Sequence, residues 1–176
     1  MALPGFGRPP AYYFIWILPR NSFTRLCGLF AGAHLPRFLL TLLIRFFSWK
    51  YGVNLNQASK QASEYRNFNE FFTRNLLPNA RTLDPDKESI LSPVDGILGE
   101  SGFINNEVLI QAKGLEYRLA DLLRDSEKSK FYDGGVFVTI YLAPYNYHRI
   151  HSMVSGEVSE FCYIPGDLWT VSPLGV

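Results

Sequence analysis

The polar positions of "LPRFLLTLLIRFFSWKYG" are few and regularly placed. Arg37, Thr41, Arg45 and Ser48 fall at steps of four, four and three. On a helix they align as one narrow stripe, and Phe, Leu, Ile and Trp cover the rest. Pro36 suits the first turn of such a helix and Gly52 its C-terminal stop. Only seven residues separate Arg37 from Arg45, against the ~20 apolar residues that a bilayer-spanning helix needs. The pattern predicts a helix lying in a membrane interface, with its arginines near lipid phosphates and its aromatic and leucine side chains buried. A core helix with snorkelling arginines is the alternative.

Upstream, residues 1–10 carry Pro and Gly and read as loose. The apolar run over residues 11–18 meets Pro19 and Arg20, not the small residues of a signal-peptide cleavage site. "RNSFTRLCGLFAGAH" predicts a short helix capped by Asn21 or Ser22. "SEYRNFNEFFTRNLLPNARTLDPD" reads as a second amphipathic segment that runs into turns.

After about residue 88 the texture changes. "SILSPVDGILGESG", "EVLIQAKG", "GVFVTIYLAP" and "GEVSEFCYIPGDLW" are short apolar, β-branched runs punctuated by Gly and Pro, which is a strand pattern. One helix interrupts it at "YRLADLLRD". The expected fold class is α+β: an α-helical, membrane-associated region over residues 1–80, then a mainly antiparallel β domain over residues 81–176. "SPVDGILGE" (92–100) and "SMVSGEVSE" (152–160) share Ser, Val, Gly and Glu at matching places. Two equivalent β-turn units packed together would produce that echo, and so would chance.

Composition sharpens two points. The chain of 176 residues is 47% apolar and 15% aromatic, which argues against disorder. Its net charge of +1 hides an asymmetry. Residues 1–63 hold seven Lys or Arg and no Asp or Glu; the remainder sets ten basic residues against sixteen acidic ones. The first third is therefore expected to touch something anionic. Two cysteines, Cys27 and Cys162, allow one bridge but make no disulfide framework and no zinc-type pair.

The chemistry gathers in "YLAPYNYHRIHS". His148 and His151 follow an apolar strand run, and Pro144 ends regular pairing, so both histidines are expected on a turn or short helix at the strand end. Core packing of one ring, a metal site completed by Asp95, and acid–base work are all open to them. Asp95, in "SPVDG", is either a turn aspartate or a carboxylate that orients an imidazole.

Taken together, "FNEFFTRNLLPNAR", "SPVDG", "IQAKG", "YLAPYNYHRIH" and "YIPGDLW" resemble, in order and spacing, the motifs of the bacterial-type phosphatidylserine decarboxylase family, from about Trp16 to Val176. The resemblance implies a proenzyme that cuts itself before a serine. That serine becomes a pyruvoyl group, which forms a Schiff base with phosphatidylserine and acts as electron sink while carbon dioxide leaves. It implies no metal. Asp95 and His151 would belong to the self-cleavage triad, with His151 as the base. His148 would position the substrate beside Tyr147 and return a proton after decarboxylation.

The implied partners are an anionic phospholipid membrane, phosphatidylserine, the small pyruvoyl-bearing chain of the same proenzyme and a second copy of the chain, with no nucleic acid. The implied place is the cytoplasmic face of a bacterial inner membrane. The family's Leu-Gly-Ser-Thr motif is absent, no Gly-Ser dipeptide occurs in the 176 residues, and Ser172 precedes a proline. The expectation is the front part of a proenzyme or a truncated product, inactive alone, with a β domain that has open edges. A non-catalytic, lipid-binding remnant and a metal-dependent hydrolase built on His148, His151 and Asp95 are the competing readings.

Overall fold

The computed structural model describes residues 20–86, 88–106, 108–111 and 115–165. The apolar run at 11–18, Ser172, part of "IQAKG" and all of "GDLW" lie outside them. Residues 32–164 form one compact unit, and the first helix is taken by itself.

That first helix, α1 (Arg20–Gly32), begins earlier than its expected caps, so Asn21 and Ser22 lie within its first turn. It exposes Phe23, Leu26 and Phe30. Helix α2 (Arg37–Tyr51) starts and stops where the sequence places it. Pro36 is the N-cap residue, and Gly52 ends the helix in the left-handed region at φ 75°. Val53 then donates its N–H to the Ser48 carbonyl at 2.9 Å, closing the last turn.

Leu40 and Ile44, four residues apart, share one face of α2 and are almost fully buried with Val53, Tyr65 and Phe71. Each large apolar side chain buried there contributes about 1.5–3 kcal/mol. The opposite side of the same helix leaves Phe38, Leu42, Phe46 and Trp49 exposed, Trp49 at 78%. Among the described residues no single helix is long and apolar enough to cross a membrane.

A 3-10 turn at Leu55–Gln57 leads to helix α3 (Phe68–Phe72). The expected second amphipathic segment is thus only five residues of helix. Asn67 caps it by accepting the Glu70 N–H at 2.8 Å. The Glu70 carboxylate accepts from Lys60 Nζ at 2.6 Å and from the Arg66 backbone N–H at 2.7 Å. These bonds hold its pKa down to about 2. Beyond α3, residues 75–77 run antiparallel to 57–59: Ser59 donates to Asn75, and Leu77 to Gln57, each at 2.9 Å.

The later region holds strand β1 (Ile97–Phe103), strand β2 (Val108–Gln111), strand β3 (Leu115–Arg118), helix α4 (Leu119–Leu123), helix α5 (Ser126–Phe131) and strand β4 (Val136–Tyr141). Among the described residues β1 pairs antiparallel with β4, and β2 with β3, as two small ladders. The α+β class holds. Ile104 and Leu119 form a second small core with Leu123 and Phe137.

Two sequence expectations change here. Helix α5 was not expected; Asp125 caps it by accepting N–H bonds from Glu127 and Lys128. "GEVSEFCYIP", read as a strand, is irregular over residues 156–165, where Val158, Phe161 and Tyr163 are exposed. No described strand lies beside it to complete a ladder, and strand geometry needs one.

The internal echo has a structural counterpart. Ser92 donates its hydroxyl proton to the Val94 carbonyl, and Ser152 does the same to Val154. Leu91 N–H donates to the Met153 carbonyl at 3.0 Å, and His151 N–H to the Pro93 carbonyl at 2.8 Å. Exchanging residues 91 and 93 with 151 and 153 turns one bond into the other, so the segments meet about a local two-fold axis.

Candidate active site

The β1–β4 register decides which side chains meet. Ile97 at the start of β1 lies opposite Tyr141 at the end of β4. Antiparallel pairing therefore brings the residues just before β1 to the same end of the ladder as those just after β4. Asp95 arrives from the first side, and Tyr147, His148 and His151 from the second. Gly96 permits the close approach, since a Cβ there would lie 2.8 Å from the Tyr141 carbonyl oxygen and would also meet the Ile140 side chain.

The loop after β4 is tied at several points. Ala143 N–H donates to Asn146 Oδ1 at 2.7 Å, and Asn146 N–H donates back to the Ala143 carbonyl at 2.9 Å. These bonds close a turn around Pro144. Arg74, just past α3, donates from Nη2 to the Tyr145 and Asn146 carbonyls, both at 3.2 Å. Arg149 donates from Nε to the Thr73 carbonyl at 2.8 Å.

The two histidines have different environments. His148 lies flat against Phe72, with centroids 4.1 Å apart and planes 24° apart. Its Nε2 is 3.1 Å from the Ala143 carbonyl oxygen. A carbonyl only accepts, so Nε2 carries a proton, and in the neutral ring Nδ1 holds the lone pair. Burial pushes the His148 pKa down, and Arg74 adds to this; the bond to Ala143 opposes both. His151 stacks on Tyr147 with centroids 5.5 Å apart and places Nε2 3.0 Å from the Tyr147 hydroxyl.

Asp95 is bound by Arg81 rather than by an imidazole. Arg81 Nε donates to both carboxylate oxygens, at 2.9 and 3.0 Å, and Nη2 donates to Oδ2. Arg81 is braced in turn, since Nη1 donates to Gln57 Oε1 at 3.1 Å and to its neighbouring Ala80 carbonyl at 2.6 Å. This pairing holds the Asp95 carboxyl below the usual carboxylate range; partial burial opposes it, and His151 contributes only through its field.

Asp95, Arg81, Tyr147 and His151 line one open cleft of about 840 Å³, together with Asn75, Asn79, Ser92 and Ser152. Of the residues singled out in the sequence, the cleft gathers Asp95, Tyr147 and His151. His148 does not line it. Arg74, Arg81 and Gln57 were not anticipated as site residues, although the "FFTRNLLPNAR" block contains both arginines. Among the described residues no group of three or more His, Cys, Asp and Glu side chains converges as a metal site requires. Cys27 and Cys162 are both free and exposed.

A carboxylate, a phenol and an imidazole that line one cleft can take up, hold and return a proton. Comparison with known proteins gives this chemistry a context. The family model described as phosphatidylserine decarboxylase matches residues 68–176. A phosphatidylserine decarboxylase proenzyme of Brevibacillus brevis is 42% identical over 160 residues, covering 90% of this chain and 56% of the relative. Proteins of the same name from Marinobacter nauticus and Myxococcus xanthus are 40% and 36% identical, over 90% and 91% of this chain and 56% and 57% of their own lengths. The chain thus spans a little over half the length of these curated relatives.

Proposed function

Since the chain belongs to the phosphatidylserine decarboxylase family, we propose that it supplies the acid–base side chains of a pyruvoyl-dependent phosphatidylserine decarboxylase of phospholipid biosynthesis. The observation that supports this most directly is that Asp95, Tyr147 and His151 all line one cleft.

These residues suit a site in which a serine is converted to a pyruvoyl group. His151 is held by the Tyr147 hydroxyl and by its own N–H bond to Pro93. It can take the proton of a serine hydroxyl brought to the cleft, which Asp95 also lines. The serine would come from polypeptide outside these 176 residues, as part of the small pyruvoyl-bearing chain. When present, a pyruvoyl group offers an electron-accepting carbonyl to the amine of phosphatidylserine. His148, with its lone pair on Nδ1, is assigned to the substrate side, where it can exchange a proton with the reacting carbon.

We place the protein on an anionic membrane surface, at the cytoplasmic face of a bacterial inner membrane. Three features support this: the exposed apolar faces of α1 and α2, Arg45 beside the exposed α2 face, and a first third without acidic residues.

The test is a proenzyme in which these residues are followed by the serine-bearing part of one of the relatives. It should cut itself and release carbon dioxide from phosphatidylserine. Asp95→Asn and His151→Ala should each leave it uncut on a denaturing gel. Normal cleavage in both variants would overturn the triad assignment. A proenzyme that binds anionic vesicles yet neither cuts itself nor releases carbon dioxide would favour a lipid-binding protein without catalysis.

A further inference from the structure

Arg74 is only 4% exposed, yet among the described residues no carboxylate forms an ion pair with it. Among the described residues its Nε and Nη1 are buried without a hydrogen-bond partner, and Nη2 is engaged by the Tyr145 and Asn146 carbonyls. The Phe71 ring, 5.5 Å from the guanidinium carbon, offers partial compensation. Burying a cation without a counter-ion is costly. A packed apolar side chain would fill the space at lower cost, so the charge and the fork need a use of their own.

We infer that Arg74 is a positioning residue for the histidine loop, its buried guanidinium fixing the turn that carries Tyr147 and His148. The two carbonyls it binds immediately precede Tyr147 and His148 in the chain. Among the described residues, the groups that face His148 are the Phe72 ring from α3, the Ala143 carbonyl from its own turn, and Arg74. Arg74 is the one charged member of that set. It therefore favours the neutral ring, whose tautomer the Ala143 carbonyl fixes. The link to catalysis rests on the proposed assignment of His148 to the substrate; the link to His148 itself does not.

The experiment follows the histidine ring signals of the chain by NMR through a pH titration, for Arg74→Met, Arg74→Lys and, as a control, Arg149→Met. Arg74→Met should shift the His148 midpoint upward. Arg74→Lys keeps the charge and should leave the midpoint low, but it loses the fork, so hydrogen exchange at the Asn146 amide should quicken roughly tenfold. Arg149→Met should leave the His148 midpoint in place. An unmoved midpoint in folded Arg74→Met, or an equal shift in Arg149→Met, overturns the inference. If Arg74→Met does not fold, unchanged exchange at Asn146 in Arg74→Lys overturns it. None of these readouts requires turnover. Failure of the proenzyme to decarboxylate would remove the catalytic reading and leave the titration result standing.

Discussion

The Asp95 carboxylate accepts both branches of the Arg81 guanidinium, with Nε at 2.9 and 3.0 Å, while His151 directs Nε2 to the Tyr147 hydroxyl at 3.0 Å. The carboxylate and the imidazole of the cleft are thus held by separate partners. Their coupling runs through the field across the cleft and through the 91–153 and 93–151 backbone bonds, which fix the two segments to each other.

Replacing Arg81 by Met should free the carboxylate and cost about 1 kcal/mol at neutral pH, because the pair is partly exposed. The folded pKa of Asp95 is depressed. Its stabilisation is therefore present above the unfolded carboxylate range and is lost as pH falls through the folded value. The difference between Arg81→Met and the unsubstituted chain should shrink on acidification. Urea unfolding at neutral and at acid pH checks it, and a difference that grows in acid would contradict the pairing.

Glu70 makes the same kind of prediction over a wider window. Its pKa is about 2, against an ordinary value of 4.5. Its contribution is complete above the ordinary value and disappears as pH falls towards 2. Glu70→Gln should cost roughly 1 kcal/mol near neutrality, through the lost bonds to Lys60 and Arg66, and almost nothing at the acid end. Direct titration of Glu70 by NMR is the clearest check, and a midpoint near the ordinary value would refute it.

Gly96→Ala should destabilise the fold by roughly 1–3 kcal/mol, because the new methyl group meets the Tyr141 carbonyl and the Ile140 side chain. The first β1–β4 pair should loosen before the rest of the ladder. Faster amide exchange around residues 97 and 141 than at 103 and 136 would show it; uniform loosening would not.

Tyr147→Phe removes the hydroxyl beside His151 and leaves the stacked ring. Loss of one hydrogen bond of about 1.4 kcal/mol corresponds to roughly tenfold slower self-cleavage in the proenzyme. Thermal stability should change little. An unchanged cleavage rate would mean that the hydroxyl does not hold the base.

Helix α2 gives a prediction about lipid. Phe38→Ser with Phe46→Ser removes two exposed aromatic rings and should weaken sedimentation with anionic vesicles by tenfold or more. High salt should weaken it further in both forms. Equal sedimentation of the two forms would place the lipid contact elsewhere.

Helix α2 was legible in the sequence because Pro36 and Gly52 bracket an uninterrupted period. Its inner face was less so, since Leu40 and Ile44 are no more apolar than the exposed Leu42 and Phe46. Only the packing of Tyr65 and Phe71 distinguishes them. Helix α5 was missed because "SEKSKF" has no apolar period, although its Asp125 cap was there to be read. In the site, Asp95 and His151 stood out by residue type and turn context, and Tyr147 through the family resemblance alone. Arg81 did not, because its place opposite Asp95 depends on how residues 57–59 and 75–77 pair. No local pattern reports such a pairing.

The local two-fold relation between residues 91–93 and 151–153 makes their contact resemble a dimer interface folded into a single chain, each segment offering the other the same pair of backbone groups. The side chains break that symmetry. His151 occupies the place that Leu91 holds in the other half, and Asp95 the place that Ser155 holds. The carboxylate and the imidazole are therefore contributed by opposite segments. A substitution that touches no reactive group, but lets the halves slide by one residue, would separate them as completely as deleting one.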